Sequence, residues 1–522
     1  MNILSRISKI LINHNDGGYQ MRFGLLLFLL LSVSHSAVAE YSYREDDVRQ
    51  VSGILYDVSG EPVTGIYEEI YDDNNIKSEM PYVNGILQGI GIIYNERGQK
   101  QAEMPFVNGK LDGVAFSYYD DGHMKEKIPY RQGKIQGVMR SYYPDGTIKS
   151  RASYDNDLRI GEAREFYENG KTKEVYTYVN GLKNGPATVY YPDGRIAEEY
   201  SYVDDAISGD RKAYYRTGEL KSYVQYENGE KNGVSRQYFE NGAVQSEIPY
   251  RHGKVDGEGA FYTEDEKLKL TVNYRNNMRD GVARAYYPDG KVKIAVTYEN
   301  DIKHGLETEY YENGNIKSEM PYVRGVARGV GREFYENGLL KTEINYNQDI
   351  ADGMAKFYDE KGQLSSEVTY DEGVKTGMQT DYSAEQAKVA ESMYTNNVLN
   401  GEYKEFYADG TLKSVTTYAD GQREGLALIY DHDGSLSYEI PYVHNQKEGK
   451  VKRFYPSGEL MGEVHYEKGE KHGMLNAYNE DGSLMAKVLF DKDKAVQGFS
   501  MDHGKNPIEM GAEEIELINS SY

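Results

Sequence analysis

The sequence has no cysteine, no tryptophan and only 13 prolines in 522 residues, and its mean hydropathy is −0.73. Without cysteine there is no disulfide framework, no thiolate metal site, no thiol nucleophile and no acylated-cysteine anchor. The low hydropathy leaves too few aliphatic residues for a thick globular core. Positive charge is also scarce: 60 Lys and Arg stand against 84 Asp and Glu, a net charge of −24. Such a surface repels nucleic acid and anionic lipid headgroups, which bind through Lys/Arg patches, and no basic run overrides it. What abounds is tyrosine, with 51 residues, and glycine, with 55, a mixture too aromatic for a disordered chain.

One apolar run is present. The segment MRFGLLLFLLLSVSHSAVAE has Arg22 as its charged start, Leu25 to Leu31 as its apolar stretch, and Ala37-Val38-Ala39 as a small-residue cleavage site before Glu40. The run is shorter than the ~20 residues that span a bilayer. The expectation is a cleaved signal peptide within residues 1–39, with translation starting at Met21. The chain would then be exported to the periplasm, cell surface or medium, with no stable membrane anchor after cleavage. Loss of Arg6, Lys9, Arg22 and Asp16 would take the net charge to −26.

From there the chain repeats itself every 24 residues. A glycine recurs at Gly65, Gly89, Gly113 and onward to Gly473, filling all eighteen positions, and an aromatic fills all eighteen from Tyr82 to Phe490. A second glycine, mostly in Asn-Gly or Asp-Gly, runs from Gly98 to Gly482 and fails only at Glu266 and Gln386. Each unit has two strand-like runs around a turn, so each predicts a β-hairpin. Proline precedes the turn dipeptide at Pro144, Pro192, Pro288 and Pro456. A two-residue type I′ loop would require a ladder hydrogen bond from that proline, which it cannot donate. A three-residue loop, a type I turn with proline second and glycine in a left-handed bulge, accepts it.

That loop predicts a register in which the residue five before the turn glycine faces the residue three after it. The pairs Glu165–Lys173, Glu309–Lys317, Glu333–Lys341 and Glu405–Lys413 are then opposite charges. The same register places the aromatics Tyr94, Tyr118, Phe166 and Phe334 opposite the aliphatics Ile148, Ile196, Leu220 and Leu412 or their equivalents. These are expected on a core stripe shared with the closing Tyr, while the second Tyr of each Tyr-Tyr pair points outward. A lone hairpin is marginal in water, so the units must stack edge to edge. The expected fold is all-β: an elongated single-layer antiparallel meander, or solenoid, of about 18 stacked 24-residue hairpins over residues 61–490, on the order of 170 Å long at ~4.8 Å per strand. Residues 40–60 are expected to cap the first edge, and residues 491–522 to form an acidic C-terminal tail that serves as a cap, a short helix or a partner-binding segment.

The recurring YYENG-x-x-K-x-E-x-x-Y-x-x-G-x-x-x-G resembles the MORN-repeat family, and more closely its bacterial variant, some members of which are described as antitoxin-like. The resemblance covers about Gly65 to Phe490 and implies a fold, not a reaction. The membrane association known for some relatives transfers poorly to so acidic a chain.

Chemistry-bearing constellations are sparse. His123, His252, His304, His432, His444, His465, His472 and His503 sit at scattered repeat positions, with no His-Glu-x-x-His. Asp431-His432-Asp433-Gly434 looks like the start of a calcium loop but falls on a hairpin turn and lacks the remaining spaced ligands. The turns that lost glycine, Thr263–Lys267 and Ser383–Lys388, read either as drift or as a bend. No catalytic residue, cofactor or metal site is assigned. The expected function is a non-enzymatic scaffold that binds protein partners or a surface glycan through the outward Tyr residues. The alternative is an antitoxin-like protein masking a basic toxin.

Overall fold

The computed structural model describes residues 41–502 and 506–520, so the expected signal segment with Ala37, Val38 and Ala39 lies outside the described residues. The fold is all-β, an open antiparallel meander in which hairpin follows hairpin. The chain divides into two compact units: Met1–Asp256 with Thr263–Glu266, and Gly257–Tyr262 with Lys267–Tyr522.

The hairpin turn is the three-residue loop that proline requires. In the hairpin of Gly89–Tyr94 and Lys100–Val107, Asn95 N donates to Gln99 O and Gly98 N donates to Asn95 O, both at 2.9 Å, with Gly98 at φ +73°. Pro144 occupies the second turn position, between Tyr143 N donating to Thr147 O at 2.8 Å and Gly146 N donating to Tyr143 O at 2.9 Å. Glu266 and Gln386, which replace the turn glycine, keep the same bond at 3.0 Å and the same left-handed φ, +61° and +63°. Those two turns are therefore not bent.

The register holds next to the turn and then slips. Tyr94 faces Lys100, Tyr142 faces Ile148 and Phe406 faces Leu412, as the loop demands. One step further, Ile93 faces Ala102 and Glu309 faces Ser318, leaving Gln101 and Lys317 as extra residues. Each hairpin thus carries a β-bulge three residues after the turn glycine, and the expected facing pairs are off by one. The ion pairs form nonetheless, because the extra residue lies against the same partner: Lys173–Glu165 at 3.7 Å, Lys317–Glu309 at 3.1 Å and Lys341–Glu333 at 3.4 Å. Glu405 instead accepts from Ser414 Oγ at 2.8 Å.

The bulge corrects the assignment of faces. Beyond it, alternation places Gly91, Ile93, Ala102, Met104 and Phe106 on one side, and Ile90, Ile92, Tyr94, Glu103 and Pro105 on the other. The closing aromatic lies on the core face, as expected. Tyr94, Tyr118, Phe166 and Phe334 lie on the outer face, not on the core stripe. The core is narrow and sets small against large: Ala115 faces Ile128, Ala283 faces Val296 and Ala355 faces Val368, all buried. Cations complete it by lying over the closing rings, with Lys183 4.9 Å from the Tyr202 centroid and also 3.8 Å from that of the neighbouring Tyr176, and Lys375 3.6 Å from that of Tyr394.

Between hairpins, Val83 faces Ile86 across Asn84 (φ +50°) and Gly85 (φ +75°), a two-residue loop of the type I′ kind. The glycine that never fails follows it. Gly89 stands at φ +123°, where a Cβ would meet Pro81 Cγ at 3.1 Å, so both conformation and space demand glycine. At the N-terminal end, Ser42–Tyr43 lies parallel to Gly65–Ile70, and Leu55 N donates to Gly85 O at 2.9 Å. At the C-terminal end, the strand Asn506–Glu509 pairs with Lys494–Asp502. The helix Ala512–Ser520 then packs Ile515 and Ile518, with Met510, against a cluster containing Leu475, Val488 and Phe490. The acidic tail is therefore a short helix seated on the last core stripe.

Candidate interaction surface

The outer face presents three rows, each set by one position of the repeat. Nearest the three-residue turn is the aromatic row. Four of its hydroxyls donate closely to a glutamate of the preceding hairpin: Tyr94 to Glu79 at 2.7 Å, Tyr118 to Glu103 at 3.0 Å, Tyr214 to Glu199 at 2.7 Å and Tyr382 to Glu367 at 2.9 Å. Burial first, and then the acceptor glutamate, push the phenols of Tyr94, Tyr118 and Tyr214 up to about 12.

The middle row is charged. In several hairpins opposite charges meet along it, with Arg236–Glu247 at 2.7 Å, Arg332–Glu343 at 2.8 Å and Lys452–Glu439 at 2.8 Å. Partly exposed pairs of this kind fix register and partner choice more than stability.

The third row is apolar and open to solvent. An aliphatic residue stands opposite proline or a small polar residue: Ile90 opposite Pro105, Leu306 opposite Pro321, Leu426 opposite Pro441 and Met354 opposite Thr369. Their exposures, 59%, 44%, 44% and 46%, are high for such side chains. Their neighbours on the core face, Ala355 and Ala427, are 0% and 5% exposed.

The second Tyr of each Tyr-Tyr pair is not the outward contact residue expected from sequence. Eleven tyrosines at this repeat position, six of them second in a Tyr-Tyr pair and four after Phe, donate their hydroxyl to the backbone carbonyl 23 residues ahead, among them Tyr119 to Tyr142 O, Tyr311 to Phe334 O and Tyr455 to Tyr478 O, all at 2.8 Å. Each is half-buried and ties its hairpin to the next. The bulge lysine lies over the ring, as with Lys125 and Tyr119 at 5.5 Å. Where this Tyr is absent, its replacement can cap its own turn. Asn95 Oδ1 accepts from Arg97 N and Gln99 N, Asp359 Oδ1 from Lys361 N and Gln363 N, and Ser383 Oγ from Glu385 N and Ala387 N. That exchange of Tyr for Asn, Asp or Ser was the trace of the device available in the sequence.

The histidines remain apart. His432 stacks on Tyr407 at 3.8 Å, and His123 lies 3.1 Å from Asp121. Asp433 in the calcium-loop-like stretch spends its Oδ1 on Ser435 N and Oγ at 2.9 and 2.6 Å, which holds its carboxyl below the usual range. Among the described residues no three His, Asp or Glu are grouped to hold a metal ion.

A family model described as the MORN repeat variant matches fourteen segments: residues 63–84, 111–132, 135–156, 159–180, 183–204, 208–228, 231–252, 279–300, 303–324, 328–348, 351–372, 399–420, 423–444 and 447–468. No curated protein matches the chain. Among solved structures, the chain is similar to a Photorhabdus luminescens Tc holotoxin pore at 11% identity, over 90% of this chain and 30% of that one, with a TM-score of 0.14. It is likewise similar to TcdB2-TccC3 at 11% identity, over 87% of this chain and 30% of that one, with a TM-score of 0.14. The chain thus spans about 30% of the length of these structures.

Proposed function

This chain belongs to the MORN repeat variant family, and from that premise we propose that it is an exported, non-enzymatic scaffold that binds protein partners along the outer face of its sheet. The observation that carries this reading is the apolar row, with exposed aliphatic side chains at one height in eight of the eighteen hairpins, Ile90, Leu306, Met354 and Leu426 among them, beside a charged row. Apolar area supplies affinity, and the adjacent charges select the partner. The tyrosines serve a different end from the one their abundance suggests. Their hydroxyls are spent between hairpins, so they keep the face rigid and leave the contact to Ile90, Leu306, Met354 and Leu426. A rigid face lowers the ordering cost of binding, and its repetition adds avidity toward a repetitive partner. The acidic excess favours a partner with a basic surface.

The test is affinity capture with the tagged chain after in-cell crosslinking, with periplasm, outer membrane and medium fractionated separately. An envelope or surface protein captured by the parent, and lost when Leu306 and Leu426 are both replaced by Asp, supports the proposal. Capture unchanged by those substitutions contradicts it. A single stoichiometric basic protein whose toxicity the chain abolishes would favour the antitoxin-like role.

A further inference from the structure

We propose that the first hairpins of the Met1–Asp256 unit form a self-complementary face by which two copies of the chain associate, the acidic half of one lying over the basic half of the other. This goes beyond the scaffold reading and does not depend on it.

The inference comes from the middle row of the outer face, followed strand by strand. It begins with Glu68 opposite Glu79, then passes to Ile92 and Glu103. Phe116 follows, beside Glu103. The row then turns basic, with Lys127, Arg140, Arg151 and Arg164 as successive cross-strand neighbours. The charge therefore changes sign at one aromatic residue. Like charges directly opposite each other destabilise a sheet. In four later hairpins the same two positions hold opposite charges: Arg236 opposite Glu247, Arg332 opposite Glu343, Lys356 opposite Glu367 and Lys452 opposite Glu463. Glu68 opposite Glu79, at one end of this stretch, and Arg140 opposite Arg151, three repeats further on, are instead like-charged pairs, one acidic and one basic.

Part of the charge is answered within the chain. Glu68 lies 3.9 Å from Arg44, Glu103 2.7 Å from Lys100 and Arg151 3.6 Å from Glu162, while Lys127 sits over the Phe116 ring at 5.9 Å. Each of these groups is partly exposed, so such pairs neutralise little. The missing complement to each half is the other half. A half-turn about an axis parallel to the strands and close to Phe116 reverses the order of the hairpins and keeps every row at its own height. The acidic end then covers the basic end twice, once in each direction, as an isologous interface requires. The neighbouring apolar row, with Ile90 at 59% and Val114 at 36% exposure, meets its own copy and is desolvated. Nine strands at ~4.8 Å by roughly 17 Å of strand give on the order of 700 Å² per copy. That lies at the lower bound for a stable interface, so the association is expected to be micromolar and salt-sensitive.

The experiment is sedimentation of the full chain over a concentration series, with Glu79→Arg and Arg151→Glu as single variants and as an equimolar mixture. Far-UV circular dichroism and melting temperature establish that each variant is folded. The expected result is a reversible monomer–dimer equilibrium that weakens at least tenfold in each single variant and returns to parental strength in the mixture, where the reversed charges face each other. A parent that stays monomeric throughout overturns the proposal. So does association indifferent to both reversals, or a mixture no tighter than its components.

Discussion

Replacing Tyr311 by Phe removes one oxygen from the middle of a Tyr-Tyr pair and tests how the hairpins are held together. The hydroxyl donates to Phe334 O at 2.8 Å in a half-buried setting, and the ring would stay in place. A hydrogen bond of this kind contributes about 1 kcal/mol net, within a range of roughly 0.5–1.5. At about 1.4 kcal/mol per factor of ten, that is a roughly fivefold rise in local opening. The natural control is the adjacent residue. Tyr310 lies on the outer face, and its hydroxyl makes no hydrogen bond among the described residues, so Tyr310→Phe should change nothing measurable. Native-state hydrogen exchange on the full chain reads both, through peptides spanning the turn 335–339, where Tyr335 N donates to Leu339 O. Faster exchange in Tyr311→Phe alone is expected. Equal exchange in the two variants, or a larger effect from Tyr310→Phe, would refute the role given to the second Tyr.

Further outcomes follow from the same geometry. Gly401 stands at φ +122°, with Met393 Cβ and Cγ 3.0 Å from where its Cβ would be, whereas Gly410 at φ +85° has open space. Gly401→Ala should cost about 2–3 kcal/mol and Gly410→Ala about 1, read from denaturant midpoints. Leu475 is 0% exposed and Leu489 38%, so Leu475→Ala should lower stability by about 2–5 kcal/mol and Leu489→Ala by less than about 1. Phenols raised from 10 to about 12 in the folded chain at Tyr94, Tyr118 and Tyr214 favour the protonated, folded form. Their contribution is whole below pH 10 and is lost as pH rises toward about 12. Absorbance at the tyrosinate band should therefore show a late-titrating fraction that appears together with unfolding, and a single titration centred near 10 would contradict this.

Much of the architecture was written in residue types that only one conformation accepts. Pro144 second in its turn dictates a three-residue loop, and in the glycine series positions such as Gly89 and Gly401, at φ +123° and +122° against a packed side chain, mark backbone that side-chain-bearing residues rarely adopt. The closing aromatics marked the core face correctly. What the sequence hid was the bulge at positions such as Gln101 and Lys317. No residue type is needed there: the extra residue is Lys or Gln in most hairpins but Ser365, Val389 or Met461 in others. One unseen residue inverted the face given to Tyr94, Tyr118, Phe166 and Phe334. The hydroxyl ties of Tyr119 and Tyr311 were hidden for another reason: their acceptors are backbone carbonyls 23 residues away, which no side chain announces. The candidate surface was consequently legible as a row pattern but assigned to the wrong tyrosines. Its apolar row, Ile90, Leu306 and Leu426, became visible only once the faces were fixed.

The absence of native cysteine makes the central claim directly measurable, since single-cysteine variants report one position each. Leu306→Cys and Leu426→Cys lie on the outer face, and Ala427→Cys lies one residue away on the core face. Maleimide labelling rates would be compared between the purified chain and the chain in its native cell fraction. The account predicts that both outer-face thiols label fast when purified and are protected in the cell, while position 427 labels slowly in both. Outer-face thiols that label equally fast in the cell and in isolation would contradict a scaffold that binds its partner there.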